Sequence, residues 1–201
     1  MDVLFNSVAA LTAMGAGLSS LSGLRAFLPL ALVGLISRFE LFGAFDLGGT
    51  PFAILENPWV IGILAALAIL EIAADKVPVV DSIQDVVAGP LRILAGVIIF
   101  GASLAQQDTP VLVAGMIGGG ALAGATHAAK GIIRPGATAV SGGMVNPFIS
   151  LFEDLLAFLG TFLVVIVPLV GLLLVLFILF LIYRVRRRRR RKYKGLRILN
   201  E

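Results

Sequence analysis

The sequence has no cysteine and a single histidine, His127. Without thiols there is no disulfide framework, no thiolate nucleophile and no zinc–sulfur site. One imidazole also rules out a histidine-rich metal site within one chain. Charge is scarce too. Only 14% of residues are charged and 59% are hydrophobic, against ~25% and ~45–50% in an ordinary soluble domain. One small core cannot hide that excess, so composition predicts an integral membrane protein. Phosphate-cradling and dinucleotide glycine motifs and the G-x-S-x-G elbow are missing. The expectation is therefore no enzyme and no cofactor.

The start, MDVLFNSVAALTAMGAG, lacks the basic n-region of a secretory signal and reads as part of the mature protein. The net charge of +4 conceals a split. Residues 1–183 carry six basic and eleven acidic side chains, whereas 184–201 carry ten basic and one acidic. The expected organisation is a transmembrane helical domain over 1–183 and a basic cytoplasmic tail over 184–201.

Val3–Ser37 is too long for one untilted span of about 20 residues, and GAGLSSLSG interrupts it. Two arrangements stay open: an interfacial helix leading into a span over about 18–37, or two half-helices meeting at a break. Asn57-Pro58 predicts the next helix, with asparagine as N-cap and proline at N1. Trp59 suits a membrane-interface anchor, and that span should run to about Ala74. A third span is expected over 86–105 and a fourth over 111–131, the latter open to a break at Gly118–Gly120 and ended by Arg134-Pro135. Ile133–Pro147 then reads as a loop. Asn146-Pro147 starts another helix, and Val167-Pro168 should split the last apolar run into spans at 148–166 and 169–183. The expected fold is thus all-α, a polytopic helical membrane protein with about six spans.

By the positive-inside rule the arginine-rich tail places the C-terminus in the cytoplasm, and six spans bring the N-terminus to the same side. Gly17–Arg25 and Gly118–Thr126 match at both glycines and the leucine between them. That echo raises the expectation of two inverted three-span repeats with broken helices, over 8–105 and 110–183.

Between the second and third spans lies EIAADKVPVVDSIQD, Glu71–Asp85. Ionisable groups beside lipid must reach headgroups, partners or a water-filled cavity. The stretch reads either as a solvated interfacial loop or as a functional polar cluster. Together with GLRAFLPL (Gly23–Leu30), ATHAAK (Ala125–Lys130) and NPFISLFED (Asn146–Asp154), it resembles domain of unknown function 4126, a group of small bacterial multi-span membrane proteins. The resemblance covers about residues 10–170, leaves the arginine-rich tail outside, and implies a multi-pass protein of the bacterial inner membrane with no established activity.

Candidate substrate- or ion-binding residues are Arg25, Glu71, Asp75, Lys76, Asp81, His127, Lys130, Glu153 and Asp154. Carboxylates, lysine and a histidine within apolar spans are the equipment of a proton- or cation-coupled carrier. The first expectation is a small secondary transporter or channel for an ion or small solute. The alternative is a non-transport scaffold, assembly or lipid-handling protein whose charges are structural pairs, such as Arg25 or His127 against Glu153 and Lys76 or Arg92 against the acidic stretch. Expected partners are the bilayer, anionic lipid headgroups at Arg184–Lys194 and, through small-residue faces such as Gly115–Gly124, a second copy of the chain. Nucleic acid is not expected.

Overall fold

The structure is a computed structural model that describes the backbone of residues 7–76, 78–142 and 144–198, and their side chains except at 78–87, 133–141, 185–186 and 188–198. Its elements are helical: α1 (Val8–Ser22), α2 (Phe27–Arg38), α3 (Pro58–Ala74), α4 (Pro78–Ser103), α5 (Thr109–Ser141), α6 (Asn146–Ile166) and α7 (Pro168–Ile198). Two short 3-10 turns, Leu41–Gly43 and Pro51–Glu56, lie between α2 and α3.

Local chemistry sets several of these boundaries. Ser7 caps α1 by accepting from Ala10 N at 3.1 Å, which satisfies one of the orphan amides of a first turn. Asn57 does the same for α3, its Oδ1 accepting from Trp59 N at 2.9 Å, with Pro58 at the first helical position as expected. Helix α6 does begin at the second Asn-Pro pair, but Val145 stands at its cap and supplies no side-chain bond. Val167, at φ −131° and ψ 87°, separates α6 from α7 where the sequence placed a turn.

Several expectations need correction. The first apolar stretch takes the half-helix option, with its break at residues 23–26, at the far edge of GAGLSSLSG; the rest of that run, Gly15 to Ser22, is helical in α1. Gly118–Gly120 does not interrupt α5, because flanking packing on α4 overrides weak propensity. Arg134-Pro135 does not end α5 either. An internal proline costs one rung and a local kink, and the helix continues to Ser141, where Gly142 at φ 61° turns the chain. Most of the supposed loop 133–147 is therefore helix. Likewise α4 starts at Pro78, not near 86, so part of the acidic stretch is helical.

The hub of the bundle is α1. Its face from Met14 to Ser22 is almost wholly buried, and it packs chiefly on α7, α4 and α5, while α4 and α5 pack most extensively on each other. Two crossings depend on glycine. A Cβ at Gly17 would run into the Gly171 Cα of α7, and one at Gly119 of α5 into the Gly96 carbonyl of α4. Backbones this close have no space for a side chain, a packing device typical of apolar helices in lipid. Ser19 takes advantage of the proximity, donating to Gly96 O at 2.9 Å.

The outward faces are apolar. Ile63, Ile69, Leu70, Phe148, Phe152 and Leu173 are all more than half exposed, an arrangement that suits lipid contact and would be a liability in water. Among the residues with described side chains, two stretches, Thr109–Ile132 and Asn146–Ile166, are long and apolar enough to cross a membrane by length and composition. The connection at 39–57 folds back on the bundle, with Leu47 and Leu55 buried in the core. Gln106 anchors it by donating to Asp46 O and Gly48 O at 3.2 and 3.0 Å.

Candidate functional site: a buried charge centre

The break between α1 and α2 carries Arg25, whose side chain is 0% exposed. Its backbone amide still bonds Leu21 O at 3.1 Å, so the chain turns tightly and sends the guanidinium inward. There Nη2 lies 2.6 Å from Asp75 Oδ2 and donates to Ser150 Oγ at 3.0 Å. Nε lies 2.7 Å from Asp154 Oδ1, an ionic contact without hydrogen-bond alignment, and Nη1 reaches the Glu71 carbonyl at 3.5 Å. Arginine suits this place because its planar fork addresses several acceptors at once and cannot lose its charge.

Asp75 is the C-cap residue of α3. It also receives the Ser150 hydroxyl at 3.1 Å, and Lys130 Nζ lies 3.6 Å away. The same ammonium sits 3.0 Å from Glu153 Oε2. Lys130 thus bridges the end of α3 to α6. On α6, Ser150, Glu153 and Asp154 fall at i, i+3 and i+4 and so share a face.

A second group adjoins the first. Glu71 Oε1 accepts from Ala26 N at 3.2 Å and Oε2 from Phe27 N at 3.3 Å. Helix α2 has no side-chain cap of its own, and this carboxylate from α3 supplies one, with the favourable sign for a helix N-terminus. Arg92 of α4 holds the same carboxylate, its Nη2 and Nε lying 3.3 and 3.4 Å from Oε1. The other edge of that guanidinium, Nη1, lies 2.8 Å from His127 Nδ1 on α5. Arg92 is also 0% exposed.

Among the described residues the centre sets Arg25, Arg92 and Lys130 against Glu71, Asp75, Glu153 and Asp154. Removing one member of such a buried set strands its partner, typically at about 3–5 kcal/mol. No three acid or histidine side chains of the described residues form a metal-ligating set; the basic side chains lie between the carboxylates.

Most of the sequence candidates therefore meet. Arg25, Glu71, Asp75, His127, Lys130, Glu153 and Asp154 belong to one neighbourhood. Lys76 is exposed at the turn after α3, one residue beyond the buried cap Asp75. The Asp81 and Asp85 side chains lie outside the described residues. The solvated-loop reading of Glu71–Asp85 fails at its start, since Glu71 and Asp75 are buried. The expected pairing of Arg92 with the acidic stretch is met at Glu71, whereas Glu153 is taken by Lys130 and not by Arg25 or His127, and Arg25 takes Asp75 and Asp154. Ser150 was missed, although its spacing to Glu153 and Asp154 marks the face it shares with them.

Two spaces bear on access. Glu71 lines an apolar groove of about 230 Å³ with Phe27, Leu67, Leu70 and Leu91. A cavity of about 430 Å³ at the other end of α2 is lined by Ser37, Arg38, Glu40, Asp46 and Glu56, away from the charge centre.

No curated protein and no solved structure matches the chain. A family model does match, over residues 12–188, so the match extends past the expected limit and into the first arginines of the tail. The chain belongs to the family described as "Domain of unknown function (DUF4126)".

Proposed function

We propose that this protein is a small polytopic membrane carrier or channel that moves an ion or small solute past the centre formed by Arg25, Asp75, Lys130, Glu153 and Asp154. The observation that supports this reading is the convergence of seven ionisable groups from the α1–α2 break, α3, α4, α5 and α6 on one buried neighbourhood. A bundle needing only stability would be served as well by apolar packing, because burying charge is costly even when it is paired.

In this reading the α1–α2 pair forms one broken span, and α3 to α7 supply five more, with both termini in the cytoplasm of a bacterial inner membrane. The basic extension of α7 then meets anionic headgroups. The two glycine crossings, α1 on α7 and α5 on α4, support an inverted repeat in which α1 corresponds to α5 and α7 to α4. A broken helix delivering polar groups to the middle is a common way of building such a site.

The test uses purified protein in liposomes loaded with a pH-sensitive dye, under imposed H+, Na+ and K+ gradients. Glu153→Gln and Lys130→Gln, both correctly folded, should reduce cation-dependent proton flux to the level of protein-free vesicles. Wild-type flux in both would remove the carboxylate–lysine mechanism. Glu71 is a poorer probe than Glu153, because its carboxylate also caps α2.

One observation favours a second reading, a membrane scaffold or assembly protein: each of the seven charged groups named above has an oppositely charged or polar neighbour. On that reading the same substitutions lower thermal stability and change no flux.

A further inference from the structure

We propose that His127 is a pH-sensitive switch for the α1–α2 break, acting through Arg92 and Glu71. The device follows from a line of contacts crossing four helices: His127 on α5, Arg92 on α4, Glu71 on α3 and the amides of Ala26 and Phe27 at the start of α2. It operates under either reading of the centre, since it requires no solute to move.

A guanidinium has only donors. The 2.8 Å contact from Arg92 Nη1 to His127 Nδ1 therefore needs a lone pair on Nδ1, which assigns the ring proton to Nε2 in the neutral form. The imidazole lies against α4 at Gly89, where an added Cβ would stand 3.1 Å from Nε2. Protonating the ring turns the contact into two N–H groups on two cations facing each other. Arg92 must then turn its Nη1 edge away. The guanidinium is one rigid plane, so its Nε and Nη2 edge moves off Glu71 Oε1, where the distances are already 3.4 and 3.3 Å. Glu71 loses the cation that holds it under the first turn of α2, and the amides of Ala26 and Phe27 lose their cap.

The charged groups around this line are Asp75 at the end of α3, Arg25 in the break, Lys130 on α5, and Glu153 and Asp154 on α6. Asp81 and Asp85 belong to α4, and their side chains lie outside the described residues. These groups share the neighbourhood of His127, so the test has to isolate the histidine.

The experiment is residue-resolved amide hydrogen exchange on the full chain in lipid nanodiscs, from about pH 8 to about pH 5, corrected for intrinsic exchange. In the wild type, protection of Ala26 and Phe27 should fall by about tenfold or more across the range. In His127→Asn, whose Oδ1 accepts from Arg92 at every pH, protection should stay level. Flat protection in the wild type overturns the proposal, and so does an equal fall in the variant. If His127→Asn does not fold, His127→Gln offers a non-titrating carbonyl acceptor one methylene farther out, and the wild-type series alone still decides against the switch if it is flat.

Discussion

Replacing Arg25 by leucine is expected to destabilise the protein by about 3–5 kcal/mol, the cost typical of stranding a buried charge. The substitution removes the ionic partner of Asp154, the closest partner of Asp75 and one hydrogen-bond partner of Ser150 in a single step. Water cannot easily replace it, because the guanidinium is fully buried. Arg25→Lys separates charge from geometry. It keeps the cation but gives up the fork that reaches α3 and α6 together, so it should fall between the two. Thermal unfolding in a single detergent checks the series. An Arg25→Leu protein as stable as the wild type would mean that these charges are not mutually dependent.

The other large effect is expected at the α4–α5 crossing. Gly119→Leu would put a branched side chain where a Cβ already meets the Gly96 carbonyl, with Phe100 Cβ at 2.6 Å and Ser19 Oγ at 3.0 Å. Two of these neighbours cannot give without moving a helix, since one is backbone and the other sits at the root of its side chain. Overpacking of this kind costs about 1–3 kcal/mol or more, and here it should fall at the upper end and separate α4 from α5. Gly131→Ala on the same helix is the control. A Cβ there meets nothing within 4 Å, and alanine is the better helix former by roughly 1 kcal/mol, so stability should hold or rise. Equal losses in both variants would show that the crossing is not tightly packed.

The sequence revealed the parts of the centre better than their arrangement. Arg25, Glu71, Asp75, Lys130, Glu153 and Asp154 stand out because a charge inside an apolar run needs an explanation wherever it ends up. Which cation meets which carboxylate was not legible, because helix rotation and the position of the α1–α2 break decide it. A shift of one residue in that break would turn Arg25 away from Asp75. Arg92 is readable as a partner for the acidic stretch, but nothing local shows that it faces both Glu71 and His127. The boundaries set by Asn57-Pro58 and Val167-Pro168 were readable from cap and proline chemistry. Pro135 misled for a physical reason: a proline marks a cost to helix, and favourable packing and sequence on either side can outweigh that cost. The role of Glu71 as a cap for another helix leaves no sequence signal near α2, which shows only the lack of a serine, threonine or aspartate at its start.

Whether these charges form one interdependent unit inside the bundle is decided by a double-mutant cycle between Lys130 and Glu153. Lys130→Met, Glu153→Met and the double variant are to be compared by reversible unfolding in the same detergent. A coupling of about 1–3 kcal/mol is expected, with the double variant more stable than the sum of the single losses implies, because removing both charges leaves neither stranded. Additivity within about 0.5 kcal/mol would contradict it, since groups 3.0 Å apart in a buried setting cannot be energetically independent.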